Sequence, residues 1–280
     1  PIFHQISMKN IIVPVDFSKQ SEFALQTAAS LAKKHGAHIL VVHMLELSDG
    51  IITSTENMHS QQTVFMIKAV EKRFKEFLDK PFLKGFSITP IIKPYKVFSG
   101  LNEIAAEHGA DLVVMGSHGS DGLKEIFVGS NAEKVVRYVD IPVLVVKEKH
   151  IDFKVDDFVF ACDFKDENLG AFQKAKAFAE LFDAKLHLVY INTPGENFLS
   201  TSDANNRINQ FLQKACTDLE VSIHNDYGVI KGILSFSEGL KADAIGIPTH
   251  GRKGLSHFFM GSIGEDVANH SKLPVVTFKI

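Results

Sequence analysis

A chain of 280 residues, 45% hydrophobic and 22% charged, has the length of two domains of ordinary size and the composition of a globular fold. A net charge of −3 argues against broad nucleic-acid binding, which calls for a basic surface, and no apolar run approaches the ~18 residues of a membrane span. Two cysteines without CxxC or Cys/His spacing imply neither a zinc site nor a disulfide scaffold, and the lack of a secretory-type leader makes the cytoplasm the expected location.

Residues 1–7 show no periodicity and read as a cloning remnant or disordered leader outside the fold. From Met8 the pattern alternates. A strand over Asn10–Val15 is followed by a helix from Ser18 to about Lys34, with Phe23, Leu25, Ala28, Leu31 and Ala32 on its apolar face and Gly36 ending it. Ala37–Leu45 is the second strand. A polar loop from Ser48 leads to a long amphipathic helix ending near Leu78, then a third strand around Phe86–Ile92. Gly100 opens a helix to His108, a fourth strand reaches Met115, a helix starts after Gly129, and Val143–Lys147 is the fifth strand. Strands alternating with helices at this spacing predict a parallel sheet with right-handed crossovers.

The second half repeats the first. A shift of 132 places Ala110-Asp111 on Ala242-Asp243, His118-Gly119 on His250-Gly251, Gly129-Ser130 on Gly261-Ser262 and Pro142-Val143 on Pro274-Val275. Near the start a shift of 147 places Asp16-Phe17 on Asp163-Phe164, so the first copy carries about fifteen extra residues around Leu47–Gln62. The expected division is a domain over 8–148, a short charged linker over 149–154 and a second domain over 155–280.

The most informative segment is Gly116-Ser117-His118-Gly119, followed after nine residues by Gly129-Ser130. It follows a buried strand and precedes a helix beginning near Ser130-Asn131. Exposed backbone N–H groups and a helix N-terminus there favour an anion such as phosphate. GxxG alone is also an ordinary surface turn, and the segment is neither a Walker A loop nor a dinucleotide fingerprint. His118 and His250 fall inside the loops, as phosphate donors or as turn caps. The other histidines, of thirteen in all, are scattered and read mostly as surface or loop residues. Cys162 reads as a small buried group on the strand Phe158–Cys162.

With its extended spacing, G-x2-G-x9-G-(S/T), and with Pro14-Val15-Asp16-Phe17-Ser18 closing the first strand, the chain resembles a tandem universal stress protein. The resemblance implies two Rossmann-like (adenine nucleotide alpha hydrolase-like) α/β domains, each a five-stranded, mainly parallel sheet flanked by helices. It implies that the halves pair pseudo-symmetrically through their last strands, Val143–Val146 and Val275–Phe278, with a homodimer also open. It implies ATP, with Mg²⁺, held by Pro14, Asp16, Met44, Gly116, His118, Gly119, Gly129, Ser130 and Asn131. Asp16 and Met44 would lie near the adenosine, with Asp16 also available to Mg²⁺ and otherwise a helix-capping residue.

The second copy departs from this pattern. Pro248 replaces Gly116 and has no N–H to donate, Ala161 replaces Pro14 and Ile191 replaces Met44, while Asp163, Gly251, Gly261 and Ser262 persist as weaker candidates. No Gx-Ser-x-Gly elbow, paired carboxylates or kinase signature set marks a catalytic residue. The expected function is therefore an ATP-binding stress-response protein acting on an unidentified regulatory partner. The alternatives are a nucleotide-free scaffold or small-molecule carrier, or a slow ATP hydrolase.

Overall fold

The computed structural model describes residues 7–45, 56–94, 99–117, 130–249, 267 and 271–280. The first half runs β1 (Asn10–Pro14), α1 (Lys19–His35), β2 (His38–Leu45), α2 (Glu56–Leu78), β3 (Ile88–Pro94), α3 (Ser99–His108), β4 (Leu112–Gly116), α4 (Ser130–Tyr138) and β5 (Val143–Val146). The second runs β6 (Asp157–Ala161), α5 (Leu169–Phe182), β7 (Lys185–Asn192), α6 (Thr201–Lys214), β8 (Val221–Asn225), α7 (Val229–Leu240), β9 (Ala244–Thr249) and β10 (Val275–Lys279). Expected and observed elements agree to within a few residues.

Local chemistry sets the boundaries. Ser18 caps α1 by accepting from the Ser21 N–H, and Gly36 closes it in the left-handed region at φ 69°. The central strands are apolar on both faces, as a sheet covered on both sides requires; Ile11, Ile12 and Val13 are all fully buried.

All ten strands form one sheet in the order β3-β2-β1-β4-β5-β10-β9-β6-β7-β8. Within each half neighbouring strands are parallel, and the halves join where β5 meets β10 antiparallel, Val145 opposite Val275 and Val143 opposite Thr277. The expected pairing of last strands is thus made within a single chain. On one face α1, α2, α5 and α6 bury a core that is continuous across both halves. On the other, α3 and α4 cover one separate core and α7 a second.

The connection between the halves is more than a charged tether. Phe153 is 4% exposed, its N–H donates to Ser30 Oγ at 2.9 Å, and its ring meets Phe182 edge-on at 5.9 Å. Two pseudo-equivalent lysines also cross the junction. Lys147 Nζ donates to the Ser271 carbonyl at 2.7 Å, and Lys279 Nζ reaches the Tyr138 carbonyl at 3.2 Å and Asp140 Oδ1 at 2.7 Å.

Burial pushes the Lys147 ammonium down to about 8 from 10.5. Below pH 8 it is charged in folded and unfolded chains alike, and its burial cost is fully present. Between pH 8 and 10.5 the folded chain releases the proton first and the cost is lifted. The stability of the wild type relative to Lys147→Met therefore rises across that window, by about 1–2 kcal/mol after allowance for partial exposure. Urea midpoints of the two proteins at pH 7.5 and pH 10 check this, and an unchanged difference would contradict it.

Among the described residues His38, His43, His187 and His224 lie on strands, His35, His59 and His108 in helices and His150 in the connection between the halves, and those whose side chains are described are partly or fully exposed. The strand histidines are anchored. His38 meets Ser87 and Thr89 hydroxyls, and His187 Nε2 meets Asp157 Oδ1 at 2.6 Å. Cys162 stands just past β6, packed against the core, and burial pushes its thiol up.

Candidate functional site

In the first half the chain leaves β1 to build β2 and β3 on one side, then returns to lay β4 on the other. The carboxyl ends of β1 and β4 therefore border a crevice at the point where strand order reverses, the position where open α/β sheets receive ligands. Pro14 ends β1 and Gly116 ends β4.

Asp16 is exposed just beyond β1 and tightly organised. Its Oδ1 accepts from the Ser21 hydroxyl at 2.6 Å and the Ser18 N–H at 3.0 Å, while its own N–H donates to Ser21 Oγ at 3.1 Å. Partial burial raises its pKa, but the hydrogen bonds from Ser18 and Ser21 outweigh that and hold the carboxyl below its ordinary value. Phe17 turns the chain here at φ 66°, a left-handed conformation unusual for a residue with a side chain. Its ring is held by Phe74, Phe77 and His43, with the Arg73 guanidinium 4.3 Å above it. The His43 Nδ1–H donates to the Val15 carbonyl at 2.8 Å, which fixes the tautomer, and burial lowers the ring's pKa.

Alternation along β2 sends His43 toward the α1–α2 face and Met44 toward α3, where Met44 borders the core beneath α3 and α4. A Cβ on Gly100 would stand 3.1 Å from Met44 Cε, so the start of α3 lies directly over this methionine.

Gly116 has a different rationale from the one its motif implied. Its φ is not positive; a Cβ there would overlap the Gln20 carbonyl of α1. The glycine therefore admits the first turn of α1, the turn that carries Ser18 and Ser21. Val113 and Ser117 both donate their N–H groups to the β5 side, at 2.9 Å each. Alternation turns the Gly116 N–H toward β1, beyond the last β1–β4 pair at Ile12–Val113. Ser117 is 1% exposed, and among the described residues its hydroxyl has no hydrogen-bond partner. Ser130 and Asn131 form the first turn of α4, as expected. His118, Gly119 and Gly129, and in the second half His250, Gly251, Gly261 and Ser262, lie outside the described residues.

The second half reproduces the scaffold with other chemistry. Phe164 is again left-handed, at φ 54°. Asp163 Oδ1 accepts from the Lys165 N–H at 3.1 Å and Asn168 Nδ2 at 2.6 Å, and its Oδ2 pairs with Lys165 Nζ at 2.9 Å. Ile191 stands where Met44 does and fills the space over Gly232, where a Cβ would come within 2.6 Å of Ile191 Cγ2. Pro248 lies inside β9 opposite Phe278, and the three residues before α5 form a 3-10 turn where α1 has already begun.

Sequence reasoning missed Ser21, the left-handed Phe17 and Phe164, Ser117 as a site residue, and the Lys165 ion pair. The 147-residue shift could have found part of this, because it sets Ser18 on Lys165 and Ser21 on Asn168.

Two parallel α/β units, with Gly116 and Ser117 at the switch point of the first, define a tandem protein of the Rossmann-like class. The universal stress protein family matches residues 8–147 and again 155–279, and the chain belongs to that family. Universal stress protein MJ0577 of Methanocaldococcus jannaschii is 26% identical over 159 residues, spanning 52% of this chain and 98% of its own length. Universal stress protein G of Escherichia coli O157:H7 is 33% identical over 153 residues, 50% of this chain and 99% of its own. A universal stress protein from Archaeoglobus fulgidus has the same fold across both halves, with a TM-score of 0.65 at 20% identity, covering 98% of this chain and 97% of that one. No described helix is long and apolar enough to cross a membrane.

Proposed function

We propose that the first half binds ATP with Mg²⁺ and that the chain acts as a nucleotide-dependent regulator of a protein partner in the cytoplasm. The observation that carries this reading is the presence, at the switch point, of a presented Asp16 carboxylate and of a buried Ser117 hydroxyl with no partner among the described residues. In this reading Asp16 and Met44 face the adenosine. Pro14 and Gly116 line the crevice between β1 and β4. Ser117, His118, Gly119, Gly129, Ser130 and Asn131 face the phosphates, where the α4 N-terminus adds its dipole. Ser117 offers a hydroxyl with no partner among the described residues, and that donor fits a nucleotide phosphate. Mg²⁺, when bound, would neutralise part of the triphosphate charge, with Asp16 within its reach.

Binding without rapid turnover fits the electrostatics. A carboxylate held below its ordinary pKa is a weak general base at neutral pH. The scaffold alternative fits the second half better, where Pro248 withholds an N–H.

Calorimetry with Mg-ATP tests this. The expected result is one site per chain, with Asp16→Ala and Ser117→Val each weakening affinity by roughly 10-fold or more while the fold is retained. Unchanged affinity in both variants would refute the assignment.

A further inference from the structure

We infer that the residue two positions after the strand-ending aspartate decides which half of the chain can receive a nucleoside, and that Lys165 holds the second carboxylate closed as a built-in substitute for a ligand. The inference rests on the nucleotide reading of the first half.

The two aspartates are presented alike. Each follows its strand, each is followed by a left-handed phenylalanine, and each has one carboxylate oxygen tied down from five residues downstream, by Ser21 in the first turn of α1 and by Asn168 in the 3-10 turn before α5. They differ at the other oxygen. Asp16 Oδ2 has no partner among the described residues, because Ser18 turns its hydroxyl toward Ser21 at 3.3 Å. Asp163 Oδ2 is taken by the Lys165 ammonium at 2.9 Å, and the Lys165 N–H binds Oδ1 of the same carboxylate.

A carboxylate accepts hydroxyl and amino donors, which is what a ribose and an adenine amino group offer. An ammonium already seated there competes directly, and a nucleoside that displaced it would leave a cation with its partner removed. Lys165 is more than half exposed, so the barrier is moderate rather than absolute. It acts at the nucleoside end, whereas Pro248 acts where phosphates would lie.

Three single variants of the full chain test this by calorimetry. Ser18→Lys and Ser18→Ala both remove the helix cap, so equal losses in thermal stability are expected, and only the lysine variant adds a cation beside Asp16. Ser18→Lys is expected to bind Mg-ATP roughly tenfold more weakly than Ser18→Ala. Lys165→Ser is expected to take up a second equivalent of adenosine, the probe that does not depend on the phosphate loop. Equal ATP affinities in the two Ser18 variants, or a Lys165→Ser chain that still takes one equivalent of adenosine, would overturn the inference. A wild-type chain that binds no ATP would instead overturn the nucleotide reading, and this inference with it.

Discussion

Phe278→Ala lowers the stability of the chain by about 3–5 kcal/mol, the range expected for truncating a fully buried aromatic side chain. Phe278 is 0% exposed, and its ring centroid lies 6.4 Å from that of Phe158, 6.0 Å from Phe160 and 6.1 Å from Phe178, in edge-to-face arrangements. Gly246 belongs to the same arrangement: a Cβ there would stand 2.5 Å from Phe158 Cζ and 3.1 Å from Phe278 Cε2, so this position is kept bare to admit the rings. The void left by alanine is bordered by rings fixed on β6 and α5, which leaves little freedom to collapse. Because β10 also forms the junction with β5, the loss acts on both halves at once. Urea unfolding followed by circular dichroism measures the effect in a chain without tryptophan. A cost below about 1.5 kcal/mol would show that the aromatic cluster relaxes into the gap.

Gly116→Ala is the second large effect, expected at about 1–3 kcal/mol as an overpacking defect. The added methyl overlaps the Gln20 carbonyl, and that atom is backbone in the first turn of α1, so relief requires the helix start to move. The same turn carries Ser18 and Ser21, which hold Asp16. The substitution is therefore expected to weaken Mg-ATP binding as well as stability, although alanine retains the N–H of residue 116. Pro248→Ala at the matching position serves as the contrast. It lies buried in β9 and the substitution adds no atoms, so no overlap arises, and its expected effect on stability is about 1 kcal/mol. Thermal melts and calorimetry on both variants check the pair. A melting temperature for Gly116→Ala equal to that of the wild type would show that α1 yields freely.

The strand and helix pattern and the duplication were legible because each depends on the order of residues along the chain, whereas the pairing of last strands came from the family resemblance alone. The left-handed Phe17 was not legible, because a phenylalanine at positive φ contradicts local preference and is imposed by packing against Phe74, Phe77 and Arg73, which come from the distant α2. The packing role of Gly116 was hidden for a related reason. A glycine motif announces missing side chains but not what occupies the space, and here that occupant is the α1 backbone. Ser21 was invisible as a site residue because it lies on the buried side of a helix, where serine reads as filler. Its role appears only once Asp16 folds back onto it at 2.6 Å.

The antiparallel meeting of β5 and β10 has a consequence for how the two copies divide their labour. Strands within each half run parallel, so reversing direction at the junction points the carboxyl ends of β1–β5 and of β6–β10 toward opposite rims of one sheet. A ligand on one rim cannot touch the other, and a protein reading one rim is blind to the other. Each copy is thus free to drift in its chemistry without obstructing its twin, as Lys165 and Pro248 have done. Any message between the rims has to cross the body of the sheet, through the shared strands, the continuous helix-covered core with Phe153, and the crossing lysines.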